Sequence, residues 1–196
     1  MSGITPSQTV GPFFHYMLTP REYGYPELVG NSLITPDALG ERIRIEGRVY
    51  DGDGAPVPDA MLEVWQADAS GRYASPADPK APANAAFKGF GRTPTTKDGD
   101  YAFDTIKPGR VLGPDGRPMA PHININLFGR GMLRHVFTRL YFADEASNAE
   151  DPILALVADP ASRATLIARR KIGATPATYV FDLHLQGAKE TVFFEC

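Results

Sequence analysis

The sequence predicts an all-β sandwich, and three observations carry that expectation. Short apolar stretches alternate with period two, turn signals rich in Asp and Gly separate them, and 18 prolines with 19 glycines suit frequent turns better than long helices. A chain of 196 residues is long enough for one domain, which buries about 70% of its unfolded surface. The expected organisation is a single domain over 1–196, with an extended N-terminal arm over 1–40 and a sandwich core over 41–196.

The arm carries no sustained period. Pro6, Pro12, Pro20, Pro26 and Pro36 interrupt any helix, yet Phe13, Phe14, Tyr16, Tyr23 and Tyr25 make the segment too aromatic for a free tail. It packs across its own domain or across a partner; composition fits both. From Glu41 strands begin. Arg42 to Glu46 alternates strictly and runs on to Tyr50, Asp51-Gly52-Asp53-Gly54 marks a turn, and Met61 to Ala67 reads as the next strand. Lys97-Asp98-Gly99-Asp100 is a hairpin signal leading into Tyr101-Ala102-Phe103. Pro121–Phe128, Val136–Phe142, Tyr179–Leu185 and Thr191–Phe194 complete about seven strands. Asp151-Pro152 and Asp159-Pro160 each offer an N-cap followed by proline, so short helices are expected near 151–170, the second taking in Leu166 and Ile167. Residues 74–91 lack any period and read as a long loop, either functional or disordered.

A net charge of −3 with scattered basic residues gives no footprint for nucleic acid. No stretch approaches the roughly 18 apolar residues of a membrane span. The first residues have no basic and no apolar segment of a secretory signal, and the sole cysteine is Cys196, so a cytoplasmic protein without internal disulfides is expected.

Familiar catalytic constellations are missing. There is no Gly-x-Ser-x-Gly elbow, no phosphate-binding glycine loop, no His-Glu-x-x-His and no cysteine pair for zinc. Asp144, Glu145, Glu150 and Asp151 read as a solvated acidic run, and Trp65 as a core residue. One strand is unusual. In His122-Ile123-Asn124-Ile125-Asn126-Leu127 the polar residues share one face and the apolar ones the other. Residues at i and i+2 of a strand can share a metal, but His-x-Asn is a poor pair because a carboxamide oxygen binds a transition metal weakly. A hydrogen-bonded polar face suits it better.

Six segments then occur in order: Thr5-Pro6-Ser7-Gln8-Thr9-Val10-Gly11-Pro12-Phe13, Leu62-Glu63-Val64-Trp65-Gln66-Ala67-Asp68, Gly71-Arg72-Tyr73, Gly91-Arg92-Thr93, Ile106-Lys107-Pro108-Gly109 and Thr138-Arg139-Leu140-Tyr141-Phe142. Together they resemble the intradiol ring-cleavage dioxygenases of the protocatechuate 3,4-dioxygenase type, along nearly the whole chain. The resemblance implies an intradiol-dioxygenase-type β-sandwich in which α and β subunits share a fold. It also implies a ferric iron held in β by two tyrosines and two histidines, which the catechol substrate chelates before O₂ inserts.

Set against that pattern, Tyr73 stands at the first tyrosine position, Val111 at the second, His122 at the first histidine and Asn124 at the second. Met119 replaces an arginine that a β subunit carries. Valine cannot ligate, so these positions are vestigial and the chain is similar to the iron-free α subunits of the family. The resemblance then implies no metal and no catalytic residue in this chain, ferric iron in a β partner, and an isolated chain without activity. It also implies a place in a large hetero-oligomer of αβ units that opens protocatechuate with O₂. Thr9, Gly11, Pro12 and Phe13 match the α stretch that walls the substrate pocket: Gly11 allows close backbone approach and Pro12 stiffens the loop. Arg130 matches an α arginine facing the β pocket, where a guanidinium suits the substrate carboxylate; from the residues alone, an arginine after a strand equally reads as a surface residue. Arg134, His135 and Arg139 read as interface or surface hydrogen bonders, and Tyr73 as a hydrogen-bonded residue in a filled pocket. The rival readings are a self-sufficient intradiol dioxygenase with an unusual ligand set and a non-enzymatic β-sandwich binding module.

Overall fold

A computed structural model describes residues 17–75, 87, 89–113 and 115–195. Its strands are β1 (Arg42–Tyr50), β2 (Met61–Trp65), β3 (Phe90–Pro94), β4 (Asp100–Ile106), β5 (His122–Phe128), β6 (Val136–Phe142), β7 (Ile167–Arg170), β8 (Ala177–Val180) and β9 (Leu183–His184), with a short helix, α1 (Pro160–Ala164), between β6 and β7. Single 3₁₀ turns form at Pro20–Tyr23, Ala146–Glu150 and Leu154–Leu156. No helix among the described residues is long and apolar enough to cross a membrane.

The strands follow the order β3-β2-β5-β6-β7-β8-β1-β4, with β9 beside the end of β1. Pairing is antiparallel from β3 through β6, parallel at β6–β7 and β8–β1, and antiparallel again at β7–β8 and β1–β4. The path folds over on itself. Ile43, Ile45, Tyr101 and Phe103 from the β1–β4 half meet Leu62, Val64, Ile123, Ile125 and Leu127 from the β2–β5 half in one buried cluster. Period-two alternation therefore builds a sandwich, because each half offers one apolar face to the other. Leu33 plugs the same core, and its amide donates to the Asp104 carbonyl at 2.9 Å, so part of the segment before β1 is pinned to the edge of β4.

Several expectations need correction. Nine strands form among the described residues rather than seven. The long loop expected at 74–91 ends early, since β3 starts at Phe90; residues 76–86 and 88 lie outside the described residues. Phe90-Gly91-Arg92-Thr93-Pro94 hides its strand character behind a glycine and a proline, but it pairs residue by residue with β2. Gly91 is needed there, as a Cβ would stand 2.5 Å from the Leu33 side chain. Downstream, the Asp159 carboxylate caps α1 through Ser162 N at 2.8 Å as expected, but the helix stops at Ala164. Ile167 then pairs with Tyr141 in the β6–β7 ladder, and tertiary pairing overrides helical spacing. Thr191–Phe194 makes only a bridge to Phe137.

The acidic run is not uniformly solvated. Glu150 is exposed, but Asp144 accepts from the Tyr179 hydroxyl at 3.0 Å and pairs with Lys107 and Arg170. Asp151 is buried: its carboxylate accepts from Ala120 N (2.7 Å), Ile153 N (2.8 Å), Leu154 N (2.8 Å) and the Tyr141 hydroxyl (3.2 Å). This clasp ties the entry of β5 to the 3₁₀ turn after it. Removing the acceptor strands four donors, three of them buried, so Asp151→Ala is expected to cost about 3 kcal/mol in a urea unfolding titration, whereas Glu150→Ala stays within about 0.5 kcal/mol. Equal effects of the two substitutions would refute the clasp.

Candidate functional site

The candidate site grows from the outer face of the β2–β5–β6 ladder. Trp65, Asn124 and Arg139 are in register across the three strands, and His122 pairs with Tyr141 one step along. Because side chains alternate, the same ladder that sends Ile123, Ile125 and Leu140 into the core sends these five residues outward together. Trp65 is thus not a core residue, contrary to the sequence expectation. It stands half-buried on the outer face, its ring stacked on Tyr73 at 5.8 Å and 13°.

Two loops deliver the remaining positions. After β2 the Asp68 carboxylate accepts from Ser70 N (2.8 Å) and Arg72 N (3.0 Å), while Asp68 N donates to Arg72 O (2.7 Å). Gly71 closes this turn at a φ of +74°, and a Cβ on it would lie 2.1 Å from the Arg110 carbonyl oxygen. Gly109 packs against the same turn from the other side; its Cβ would meet Ala69 O at 2.5 Å. Both glycines are close-approach positions. The turn they lock sets Tyr73 beside Val111, in a small apolar cluster with Ala67, Met119 and Ile153.

The positions named from sequence as vestigial therefore come together: Tyr73, Val111, His122 and Asn124, with Met119 among them. The amide of Asn124 hydrogen-bonds the Tyr73 phenol, whose pKa is raised by burial and drawn back by the nearby Arg139 charge and this bond. Arg139 Nη1 lies 3.3 Å from Met119 Sδ, and the guanidinium also interacts with the Tyr141 hydroxyl. His122 is buried, and its Nδ1 donates to Ala120 O at 2.8 Å. Burial first, and the Arg139 charge second, push its pKa down to about 4, so the ring is neutral at pH 7. Among the described residues, His122 Nε2, Asn124 Oδ1 and Arg139 Nε are buried without a hydrogen-bond partner.

This donor set does not fit a ferric ion. Of the four matched positions, valine offers no donor and the carboxamide a weak one. A cation, Arg139, stands on the same face of the ladder. Arg139 was placed by sequence among surface or interface hydrogen bonders; instead it is half-buried inside the cradle. Only strand register could have found it, by pairing Asn124 with Arg139.

The other predicted residues lie elsewhere. Thr9, Gly11, Pro12 and Phe13 fall outside the described residues. Arg130 follows β5 at the end opposite His122, with 79% of its side chain exposed and an ion pair to Asp59 at 2.9 Å. His135, in the same connection, stacks on Phe128 at 5.1 Å.

Comparison with known proteins matches this architecture. The profile of the family described as Dioxygenase matches residues 26–187. The protocatechuate 3,4-dioxygenase alpha chain of Pseudomonas putida is 49% identical, with 97% of this chain and 96% of that protein covered. The protocatechuate 3,4-dioxygenase beta chain of Burkholderia cepacia is 38% identical over 84% of this chain and 73% of its own length. Among solved structures, the dioxygenase domain of a carbohydrate-binding fusion from Streptomyces sp. SirexAA-E superposes with a TM-score of 0.61 at 26% identity, covering 94% of this chain and 99% of that one.

His122 gives the site a pH signature. A folded pKa of about 4 lies below the ordinary 6.5, so between these values the unfolded chain binds the proton that the folded chain refuses. The associated stability is complete above the ordinary value and is lost as pH falls toward the folded one. Relative to His122→Gln, the native chain is expected to lose about 2 kcal/mol of unfolding free energy between about pH 7 and pH 5. Parallel stability profiles for the two proteins would exclude a neutral buried imidazole.

Proposed function

This chain belongs to the dioxygenase family, and we propose that within it the chain is the α subunit of a protocatechuate 3,4-dioxygenase, working in the cytoplasm beside an iron-bearing β subunit. The observation that carries this reading is the cradle. Tyr73 and His122 hold two ligand-type positions, while Val111 and Asn124 hold the other two and cannot complete a ferric site. End-to-end likeness to alpha chains, and weaker likeness to a beta chain, support the same division. Ferric iron then sits in β, and the intradiol cleavage of protocatechuate with O₂ to 3-carboxy-cis,cis-muconate takes place there.

The work left to this chain is shaping, steering and assembly. Thr9, Gly11, Pro12 and Phe13 would wall the substrate pocket. Arg130 would stand at its mouth, its exposed guanidinium available to a carboxylate that carries the same charge as its present partner Asp59. A guanidinium in that role raises substrate capture through orientation and charge, without touching the metal. Residues 1–40 would serve as the arm of a single domain over 1–196, laid on the domain itself or on the partner.

Two measurements test the assignment. The chain purified alone is expected to leave protocatechuate intact, and co-production with a β subunit to restore cleavage with one iron per αβ unit. In that complex Arg130→Ala is expected to raise KM for protocatechuate about tenfold with iron content unchanged, the scale of one partly exposed charge-assisted contact. Cleavage by the lone chain with its own iron, or an unaltered KM with lost iron, counts against the reading.

A further inference from the structure

We propose that Asp59 is the resting partner of Arg130, a positioning residue that holds the guanidinium between turnovers and takes it back when product leaves. The inference rests on the reading in which Arg130 meets the substrate carboxylate, and it names how that contact is released.

Strand register brings the two residues together. Met61 pairs with Phe128 at the end of the β2–β5 ladder, and Asp59 and Arg130 lie two residues beyond that rung on their respective strands. Carried on, the antiparallel register sets them opposite each other, and Arg130 Nε lies 2.9 Å from Asp59 Oδ2. Their mounts differ. Asp59 is half-buried on a turn clamped by the buried Thr95 hydroxyl, which accepts from Ala60 N at 3.0 Å and donates to Val57 O at 2.8 Å. Arg130 stands between Gly129 and Gly131, the latter at a φ of +84°, with most of its side chain in water. A fixed carboxylate thus faces a cation whose glycine-flanked backbone can re-aim it.

An exposed ion pair adds little to stability, so the fold does not need this one. Its use follows from the charge of what Arg130 meets. Protocatechuate arrives with one carboxylate. Cleavage between its two hydroxylated carbons turns each into a carboxylate, so the product leaves with three. A bare guanidinium that helps to capture the first anion holds the second more strongly, because attraction grows with charge. Either anion must displace Asp59 from Arg130, and the product also brings two further negative charges close to the Asp59 carboxylate. Asp59 therefore weakens substrate capture a little and product retention more.

The test uses the complex co-produced with the β subunit, reading KM for protocatechuate and the calorimetric Kd of 3-carboxy-cis,cis-muconate. D59N keeps the shape and removes the charge. It is expected to lower KM about threefold and the product Kd about tenfold, with both gaps from the native complex closing as salt is raised. D59E, which keeps the charge, is expected to stay near native values. In the R130A background D59N is expected to leave KM within about twofold, since no pair remains to be broken. A raised KM in D59N, a product Kd that falls no further than KM, or a threefold fall in KM without Arg130 would each overturn the inference. An unaltered KM in R130A would instead sink the role of Arg130 itself, so the two failures are told apart.

Discussion

Everything in this molecule depends on the strict alternation of β5 held in register between β2 and β6. One face of that strand, Ile123, Ile125 and Leu127, is the centre of the sandwich core. The other carries His122, Asn124 and Asn126, the first two forming the floor of the cradle. A slip of one residue would exchange the two faces, burying two carboxamides and an imidazole in the core and exposing three large aliphatic side chains. Fold and site are therefore the same constraint seen from two sides, and a family can rewrite the outer face without loss of the sandwich only while the inner face stays apolar.

The cradle shows what such rewriting leaves behind. Loop glycines 71 and 109, the Asp68 turn and the Asp151 clasp deliver Tyr73, Val111 and His122 to one place, although valine brings no donor to it. Met119 and Val111 pack in one cluster with Tyr73, and the Arg139 guanidinium lies beside Met119. Filling with apolar groups alone would have left His122 and Asn124 facing a dry wall. Burial first, and the Arg139 charge second, keep the imidazole neutral.

How much of this could be read from the chain itself follows from the range of each interaction. Strands β1, β2, β5 and β6 announced themselves because alternation is local and strong. The same holds for the Asp159 cap, and for Asn124 as a polar outward residue. β3 was hidden because its Gly91 and Pro94 are tolerated only by their neighbours across the ladder and by Leu33. Leu166 and Ile167 had helical spacing but were claimed by β6. Asp151 looked like one more acid in a solvated run, since nothing nearby in sequence says that the amides of Ala120 and Leu154 will meet it. Arg139 failed for the same reason: its meaning lies in a register, and a register is a relation between strands.

The contrast between Arg130 and Arg139 sharpens the point. Both follow or occupy the β5–β6 hairpin, and both carry the same group, but their surroundings assign them opposite tasks. Arg130 is in water with one carboxylate beside it, an interaction worth little and easily exchanged, which is what a residue that meets a charged molecule from outside requires. Arg139 is half-buried beside Met119 Sδ, and among the described residues no carboxylate pairs with it, so its place is set by its strand and not by a partner from outside. On this view one hairpin carries two arginines of different use: an inner one built into the face of the cradle, and an outer one that the proposed partnership would turn toward a charged molecule.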